Sequence, residues 1–120
     1  MIELRKLIES NLKAVHAKVY YQKAPDNAVC PYLVYELPTS YFNEYDGTLT
    51  LDVDGWDDEY DATALETLMA AVNAKFNRLQ VVTDDFAVTF YLENKMSLRE
   101  DDKRINRRKY IYSGRIFERG

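Results

Sequence analysis

Apolar residues recur along this chain with two periods, one typical of helices and one typical of strands. The clearest helical pattern follows the acidic residues Asp57-Asp58-Glu59 and carries large apolar side chains every three or four positions. It predicts an amphipathic helix with Asp61 as its N-cap, because the helix dipole favours negative charge at this end. Such a helix needs an apolar surface, so we expect it to lie on a sheet. Its apolar stripe consists of Leu65, Leu68, Met69, Val72, Phe76 and Leu79.

A second helix is predicted at the N-terminus, from Met1 to about His16. Charged residues of both signs surround its polar side, which is typical of a helix that packs on a protein core rather than on lipid. The apolar face carries Leu4, Leu7, Ile8, Leu12 and Val15.

Alternation with a period of two predicts the strands. Leu49, Leu51 and Val53 alternate with polar residues after Asp46-Gly47, which is the two-residue signature of a hairpin turn. Between the last two strands we expect a polar, mobile connector. The other predicted strands are Tyr32 to Leu37, Phe86 to Leu92, Lys109 to Glu118 and a short strand or extended link at Val19 to Tyr21; the connector runs from Lys95 to Arg108.

These elements predict one α+β domain over residues 1–120. We expect a mainly antiparallel sheet of four to five strands with two helices packed on it, in the order α-β-β-α-β-β. A chain of 120 residues supports one modest core. No apolar run approaches the ~20 residues that span a bilayer, and the charged N-terminus differs from a signal peptide. We therefore expect a protein that is made and kept in cytosol-like conditions.

Charge is distributed unevenly along the chain, although the net charge is only −4. No lysine or arginine occurs between Ala24 and Ala74, whereas basic residues outnumber acidic ones from Arg99 to Gly120. Such asymmetry indicates an interaction face. If the two regions lie on opposite flanks, each copy can dock its basic side on the acidic side of the next, and salt should weaken that association.

Residues that carry chemistry are few. Cys30 is the only cysteine and His16 the only histidine, which excludes an intrachain disulfide, a cysteine-based zinc site and a histidine pair for metal. The acids from Asp52 to Asp58 lack the glycine and glutamate of an EF-hand loop. Pro25-Asp26 with Glu93-Asn94-Lys95 imitates a magnesium nuclease pattern, but its halves are far apart in the sequence. We expect no catalytic residue, metal or cofactor.

The order of elements resembles that of the small tail-terminator and tail-completion proteins of long-tailed bacteriophages and prophages. The residues that carry the resemblance are Pro31 to Glu36, Leu49 to Trp56 with the helix behind it, Phe86 to Glu93 and Tyr110 to Glu118. The resemblance implies a structural protein of the virion tail, assembled in the bacterial host cytoplasm. It implies a homo-oligomeric, six-fold ring that terminates the tail tube and joins it to the head connector, with DNA passing through the lumen without sequence-specific binding.

Two groups of residues are candidates for contacts with other subunits or partners. The aromatic residues beside the predicted hairpin are the first group, although they are equally well interpreted as ordinary cross-strand partners. The arginines of the connector are the second, with a solvated loop as the alternative. An alternative function is a small divalent-metal nuclease or another phage-encoded enzyme. The candidates are Tyr41, Phe42, Tyr45, Arg99, Arg104, Arg107 and Arg108.

Overall fold

The computed structural model of this chain describes residues 2–42 and 46–119, with the side chain of Phe42 left out. Within these residues, two helices and seven strands follow one another. They are α1 (Ile2–Val15), β1 (Val19–Tyr21), β2 (Tyr32–Glu36), β3 (Ser40–Phe42), β4 (Asp46–Asp57), α2 (Thr63–Phe76), β5 (Gln80–Val82), β6 (Phe86–Leu98) and β7 (Asn106–Glu118).

The strands form one sheet in the order β1-β2-β4-β7-β6-β5, and β3 pairs with β4 beside β2. Every pairing is antiparallel except that of β1 with β2. The predicted α+β class and the mainly antiparallel sheet are therefore confirmed. The sheet has more strands than the four to five we expected, because β1, β3 and β5 have only three residues each.

Both helices pack on one face of the sheet and enclose the core. From α1 the buried residues are Leu4, Ile8 and Leu12, and from α2 they include Met69 and Phe76. The alternating strand residues point at these helices, as the period of two predicted. Along the sheet they are Leu33, Tyr35, Leu49, Leu51, Val53, Phe86, Val88, Phe90, Tyr110, Tyr112 and Ile116.

The predicted ends of α2 need correction. Ala62, not Asp61, occupies the N-cap position and makes no side-chain cap. Asp61 still stabilises the start of the helix, because its Oδ1 accepts hydrogen bonds from the backbone N–H and the hydroxyl of Thr63 at 2.9 and 2.7 Å. The helix ends at Phe76, and the positive φ of 68° at Arg78 directs the chain toward β5. Leu79 therefore packs on the core from beyond the helix.

The connector predicted from Lys95 to Arg108 is wrong in extent and in character. Its first part belongs to β6, its last part belongs to β7, and only residues 99–105 connect the two strands. The cause is the ladder: β7 pairs with β4 and with β6 as far as Arg107, so its polar N-terminal half is held between two neighbours. These polar residues adopt a strand because both neighbouring strands pair with them, although they show no apolar alternation.

The predicted turn at Asp46-Gly47 is also displaced. Both residues belong to β4, where Gly47 pairs with Phe42 on one side and with Ile116 on the other. The hairpin of β3 and β4 exists, and its connection, residues 43–45, lies outside the described residues.

Candidate functional site

The sheet has two faces of different character. The helices cover one face, whereas no described helix covers the other, which we call the open face. Its side chains alternate with those of the core along each strand, and a bulge between Leu92 and Asn94 moves Met96 and Leu98 of β6 onto it. From β2, β4 and β7 the open face comprises Tyr32, Val34, Glu36, Thr48, Thr50, Asp52, Asp54, Trp56, Arg107, Lys109, Ile111, Ser113, Arg115 and Phe117.

A charge cluster occupies the part of the open face nearest the β6–β7 loop. Arg107 donates from Nε and Nη2 to Oδ2 of Asp54, at 2.7 and 2.6 Å. Lys109 places its Nζ 3.7 Å from Asp52 Oδ2 and 3.9 Å from Asp54 Oδ1. These contacts arise because the antiparallel register sets Asp54 opposite Lys109 and puts Arg107 one diagonal step away.

Burial acts against the charged form of both aspartates. It raises the pKa of Asp54 and that of Asp52, while the neighbouring Arg107 and Lys109 act in the opposite direction. The Asp54 side chain is 10% exposed. Among the described residues, Oδ1 of Asp52 is buried without a hydrogen-bond partner. The cluster is therefore an ion-pair network in which desolvation exceeds the compensation from its cations.

Aromatic rings border this cluster. The Arg107 guanidinium lies 4.6 Å from the centroid of the Trp56 ring, and that ring stacks on Tyr32 at 6.2 Å with an interplanar angle of 15°. The arrangement combines a cation–π contact with the ion pair and holds the guanidinium in one orientation. Beside it lies a cleft of about 250 Å³, lined by Gln22, Lys23, Ala24, Tyr32, Val34, Tyr35, Glu36, Asp52, Asp54, Trp56, Arg107 and Lys109.

We call the loop end of the β6–β7 hairpin, residues 94–108, the arm. At its tip Asp102 accepts hydrogen bonds from the backbone N–H and from Nη2 of Arg104, at 3.0 and 3.3 Å. Next to the loop, the Asn106 Nδ2 donates to the Glu59 carbonyl at 2.6 Å. Arg108 joins the arm to α2 through Glu66, with 2.9 Å between Nε and Oε1. The arm is thus anchored to the segment that precedes α2 and to α2 itself.

The predicted interface residues lie in two distant places. Tyr41, on β3, is 77% exposed, Phe42 follows it in the same strand, and Tyr45 lies outside the described residues. The arginines lie on the arm, where Arg99 is exposed and the Arg104 side chain is 76% exposed. Arg107 and Arg108 are half-buried and engaged in ion pairs within the chain. The interface assignment itself stays a prediction.

The acidic and basic regions of the sequence do not lie simply on opposite flanks. The acidic strand β4 and the basic strand β7 are direct neighbours, and Asp52 and Asp54 are neutralised by Lys109 and Arg107. Glu66 on α2 likewise pairs with Arg108. Much of the charge asymmetry is therefore used within one copy, and fewer charges are available for docking between copies than the sequence indicated.

The residues of the nuclease-like pattern lie far apart. Asp26 lies in the loop between β1 and β2, at one side of the sheet, whereas Glu93 and Lys95 lie on β6, and β4 and β7 separate the two places. Within residues 2–42 and 46–119, no group of three or more histidines, cysteines or acids is placed to hold a metal ion. Neither described helix is long and apolar enough to cross a membrane.

Comparisons with known proteins give a likeness in fold. No protein-family model matches the sequence, and no curated protein matches it. Among solved structures, the fold is similar to that of a chain in the "Virion of native gene transfer agent (GTA) particle", with a TM-score of 0.72. The superposition covers 92% of this chain and 91% of that chain at 11% sequence identity. At this identity the likeness shows a shared fold.

Sequence reasoning missed the arm and the Asp54–Arg107 pair. Two signals were present. The apolar alternation of β6 continues beyond Leu92 to Met96 and Leu98. The acids of β4 and the bases of β7 also stand at alternate positions, which is the pattern of two paired strands that share a polar face. Neither signal could reveal the bulge, which changes the face of the last β6 residues.

Proposed function

We propose that this chain is a structural protein of a bacteriophage, a prophage or a related particle. In this proposal it forms a ring at the head-proximal end of the tail, where it terminates the tail tube and joins it to the head connector. DNA passes through the lumen of that ring, and the chain carries no catalytic activity. The ring assembles in the host cytoplasm from copies of the chain and then remains in the virion tail.

The likeness to a virion chain is the observation that carries this proposal. It spans nearly the full length of both chains, so it concerns the whole fold rather than a fragment. The order of elements that resembles the tail-terminator family leads to the same class of protein by a separate route. The wide spacing of Asp26 from Glu93 and Lys95 removes the main support for a nuclease.

The test is deletion of the gene in a strain that produces the particles. We expect separate full heads and unjoined tails by electron microscopy, and restoration of joined particles when the gene is supplied in trans. Labelled antibody against the chain should bind at the head–tail junction of intact particles. Joined, infectious particles from the deletion strain would overturn the proposal. Metal-dependent nicking of plasmid DNA by the purified protein would instead favour the nuclease.

A further inference from the structure

The outer edge of β6 is only partly covered. The strand β5 pairs with it from Ala87 to Thr89, and backbone bonds with Arg78 and Leu79 extend this cover to Phe90. The Leu92 N–H donates to Oδ1 of Asn77 at 3.0 Å. Beyond that bond, no described strand pairs with the outer edge of residues 93–98, whereas β7 pairs with their inner edge as far as Leu98.

The strand β3 has a second uncovered edge on the opposite side of the sheet. Its three residues pair with Gly47, Thr48 and Leu49 of β4, and no other described strand pairs with them. The strand β2 lies on the same side of β4 but pairs further along it, from Asp52 to Trp56. The outer edge of β3 is therefore open, and Ser40 and Tyr41 are exposed there.

We propose that these two edges pair with each other between neighbouring copies, so that the arm edge of β6 in one copy adds to β3 of the next. The inference rests on the proposed ring and names the contact that builds it. A head-to-tail contact of two different surfaces, repeated by one rotation, closes into a ring. Strand addition to an open edge is a recurrent mode of recognition, because main-chain hydrogen bonds supply the affinity.

Strand directions and faces agree with this contact. Both β6 and β4 are antiparallel to β7, and β3 is antiparallel to β4, so β3 runs opposite to β6. Copies related by a rotation about a ring axis keep their strand directions, so β6 meets the neighbouring β3 as an antiparallel pair. The same rotation keeps all helices on one side, and the open face continues from copy to copy.

The offset between the two edges also fits a closed sheet. Met96 is level with Lys109 and Asp54, whereas Tyr41 is level with Thr48, which is six positions earlier on β4. Six residues correspond to roughly 20 Å along the strands, and the four strands from β3 to β6 correspond to about 19 Å across them. These two distances give a strand tilt of about 45°, close to the tilt that closed sheets adopt.

Two features of β6 act against unspecific pairing of this edge. The bulge at Leu92 and the charge of Lys95 are devices that keep an edge strand from pairing with any available strand. The Lys95 Nζ, however, lies 5.3 Å from the centroid of the Tyr110 ring, over the face of the sheet rather than across its edge. The arm edge therefore stays open to a partner of matching direction and offset.

Engineered disulfides test the contact directly. In a Cys30→Ser background, Ser40→Cys is combined with Lys95→Cys or with Ser97→Cys, whose side chains lie on the same face of the sheet as Ser40. Within one copy, β4 and β7 separate Ser40 from these β6 positions, so no intramolecular bond can close across the ~7 Å limit between Cα atoms. We expect a ladder of covalent oligomers on a non-reducing gel in at least one combination.

Matched controls separate this contact from chance oxidation. Ser40→Cys with Met96→Cys places the two thiols on opposite faces and should give no ladder. Each single variant has one thiol and should give no covalent dimer, whereas a mixture of the Ser40→Cys and Ser97→Cys proteins should give covalent dimers alone. Covalent dimers from a single variant, or a ladder from the Met96 control, would overturn the edge contact.

Native mass spectrometry of the unmodified protein separates the two proposals. Rings accompanied by the expected ladder support both. Rings without a ladder in either combination would overturn the edge contact and leave the ring intact. An unmodified protein that stays monomeric up to high concentration, with no ladder, would overturn the ring as well. Since three or four paired residues form a small interface, we expect rings to fall apart on dilution.

Discussion

The covered face and the open face of the same sheet differ in side-chain composition, one apolar and the other largely polar and charged. The covered face buries aliphatic and aromatic side chains against two helices, whereas the open face places Asp54, Arg107 and Lys109 in a network beside Trp56. Burial of apolar area stabilises the first, at about 25 cal/mol per Å². On the open face, burial of the charged groups costs desolvation energy, and the ion pairs fix the orientation of the side chains. Stability should therefore depend on the covered face and assembly on the open edges and the arm.

The largest expected effect comes from a charge on the covered face. Phe76 is fully buried, and its ring centroid lies 5.9 Å from those of Phe90 and Tyr112. We expect Phe76→Asp to abolish cooperative unfolding, because an unpaired buried carboxylate costs several kcal/mol in addition to the lost packing.

Leu68→Asp provides the matched control on the same helix, because Leu68 is only partly buried. Both substitutions are expected from the sequence to destroy folding, and the structure now ranks them. Thermal unfolding followed by circular dichroism should show a folded Leu68→Asp protein with a lowered midpoint. A native-like midpoint for Phe76→Asp would contradict the placement of α2 on the sheet.

The second effect tests how closely the covered face is packed. A Cβ at Gly114 would lie 2.8 Å from Leu49 Cδ1 and 3.1 Å from both Leu49 Cγ and Phe90 Cε1. We expect Gly114→Ala to lower the free energy of unfolding by about 1–3 kcal/mol, because these core side chains must move. Ser113→Ala, one residue away on the open face, should change it by less than about 0.5 kcal/mol. Equal urea midpoints for the two variants would show that the faces do not differ in packing.

The third effect concerns the open-face network. We expect Arg107→Met to lower the free energy of unfolding by about 2 kcal/mol at neutral pH, because Asp54 then stays buried with only the more distant Lys109. Arg115→Met, an exposed position on the same face, is the control and should have little effect. A wild-type stability for Arg107→Met would remove the network from the account of the open face.

The pH dependence of Arg107→Met has a definite sign. Burial raises the pKa of Asp54 above its usual 3.8, and Arg107 lowers it. A carboxyl whose pKa is higher in the folded state favours folding below its unfolded pKa, and loses that contribution as the pH rises through the folded pKa. Because the variant has a still higher folded pKa, its deficit should be smallest near pH 3 and grow toward neutral pH. A deficit independent of pH would mean that lost packing alone explains it.

The sequence predicted the covered face well because the spacing of its apolar residues follows directly from their burial in the core. Leu65, Met69, Val72 and Phe76 recur at helical spacing, and Phe86, Val88 and Phe90 alternate, since each must reach one core. The prediction for the arm is wrong because residues 106–108 are strand by virtue of their paired neighbours, and because a bulge changes the face of residues 94–98. Pairing between β4 and β7 links residues 49 to 71 positions apart, and no local window contains that information.

The candidate contact residues were predictable only in part, for the same reason. Aromatic residues beside a turn signal led to Tyr41, which the structure leaves exposed. The arginines were grouped by their proximity in sequence, yet Arg107 and Arg108 point to opposite faces of β7 and bind different acids. A triple replacement of Arg104, Arg107 and Arg108 is therefore a poor test of assembly, because it would also break the fold's own ion pairs.

The smallest expected effect on stability comes from the tip of the arm, where a cleaner test is available. Arg99 and Arg104 are exposed, and Arg104 pairs with its loop neighbour Asp102, at 3.3 Å. We expect the double variant Arg99→Ser, Arg104→Ser to unfold at the wild-type temperature, because solvent-exposed ion pairs add little to stability. Asp102 still accepts the backbone N–H of residue 104, so the loop keeps its turn.

The same double variant should impair assembly although its unfolding temperature is unchanged. Strand pairing between copies uses the backbone of β3 and β6, so rings should still form. If the cations of the exposed tip contact a partner, joining of the ring to the head or the tube should be lost. Complementation of the deletion strain should then yield rings with unjoined heads and tails by electron microscopy. Lys103→Ser, an exposed cation in the same loop, shows whether any loss follows charge alone. Full infectivity of the double variant would exclude Arg99 and Arg104 from the joint and leave Tyr41 as the next residue to test.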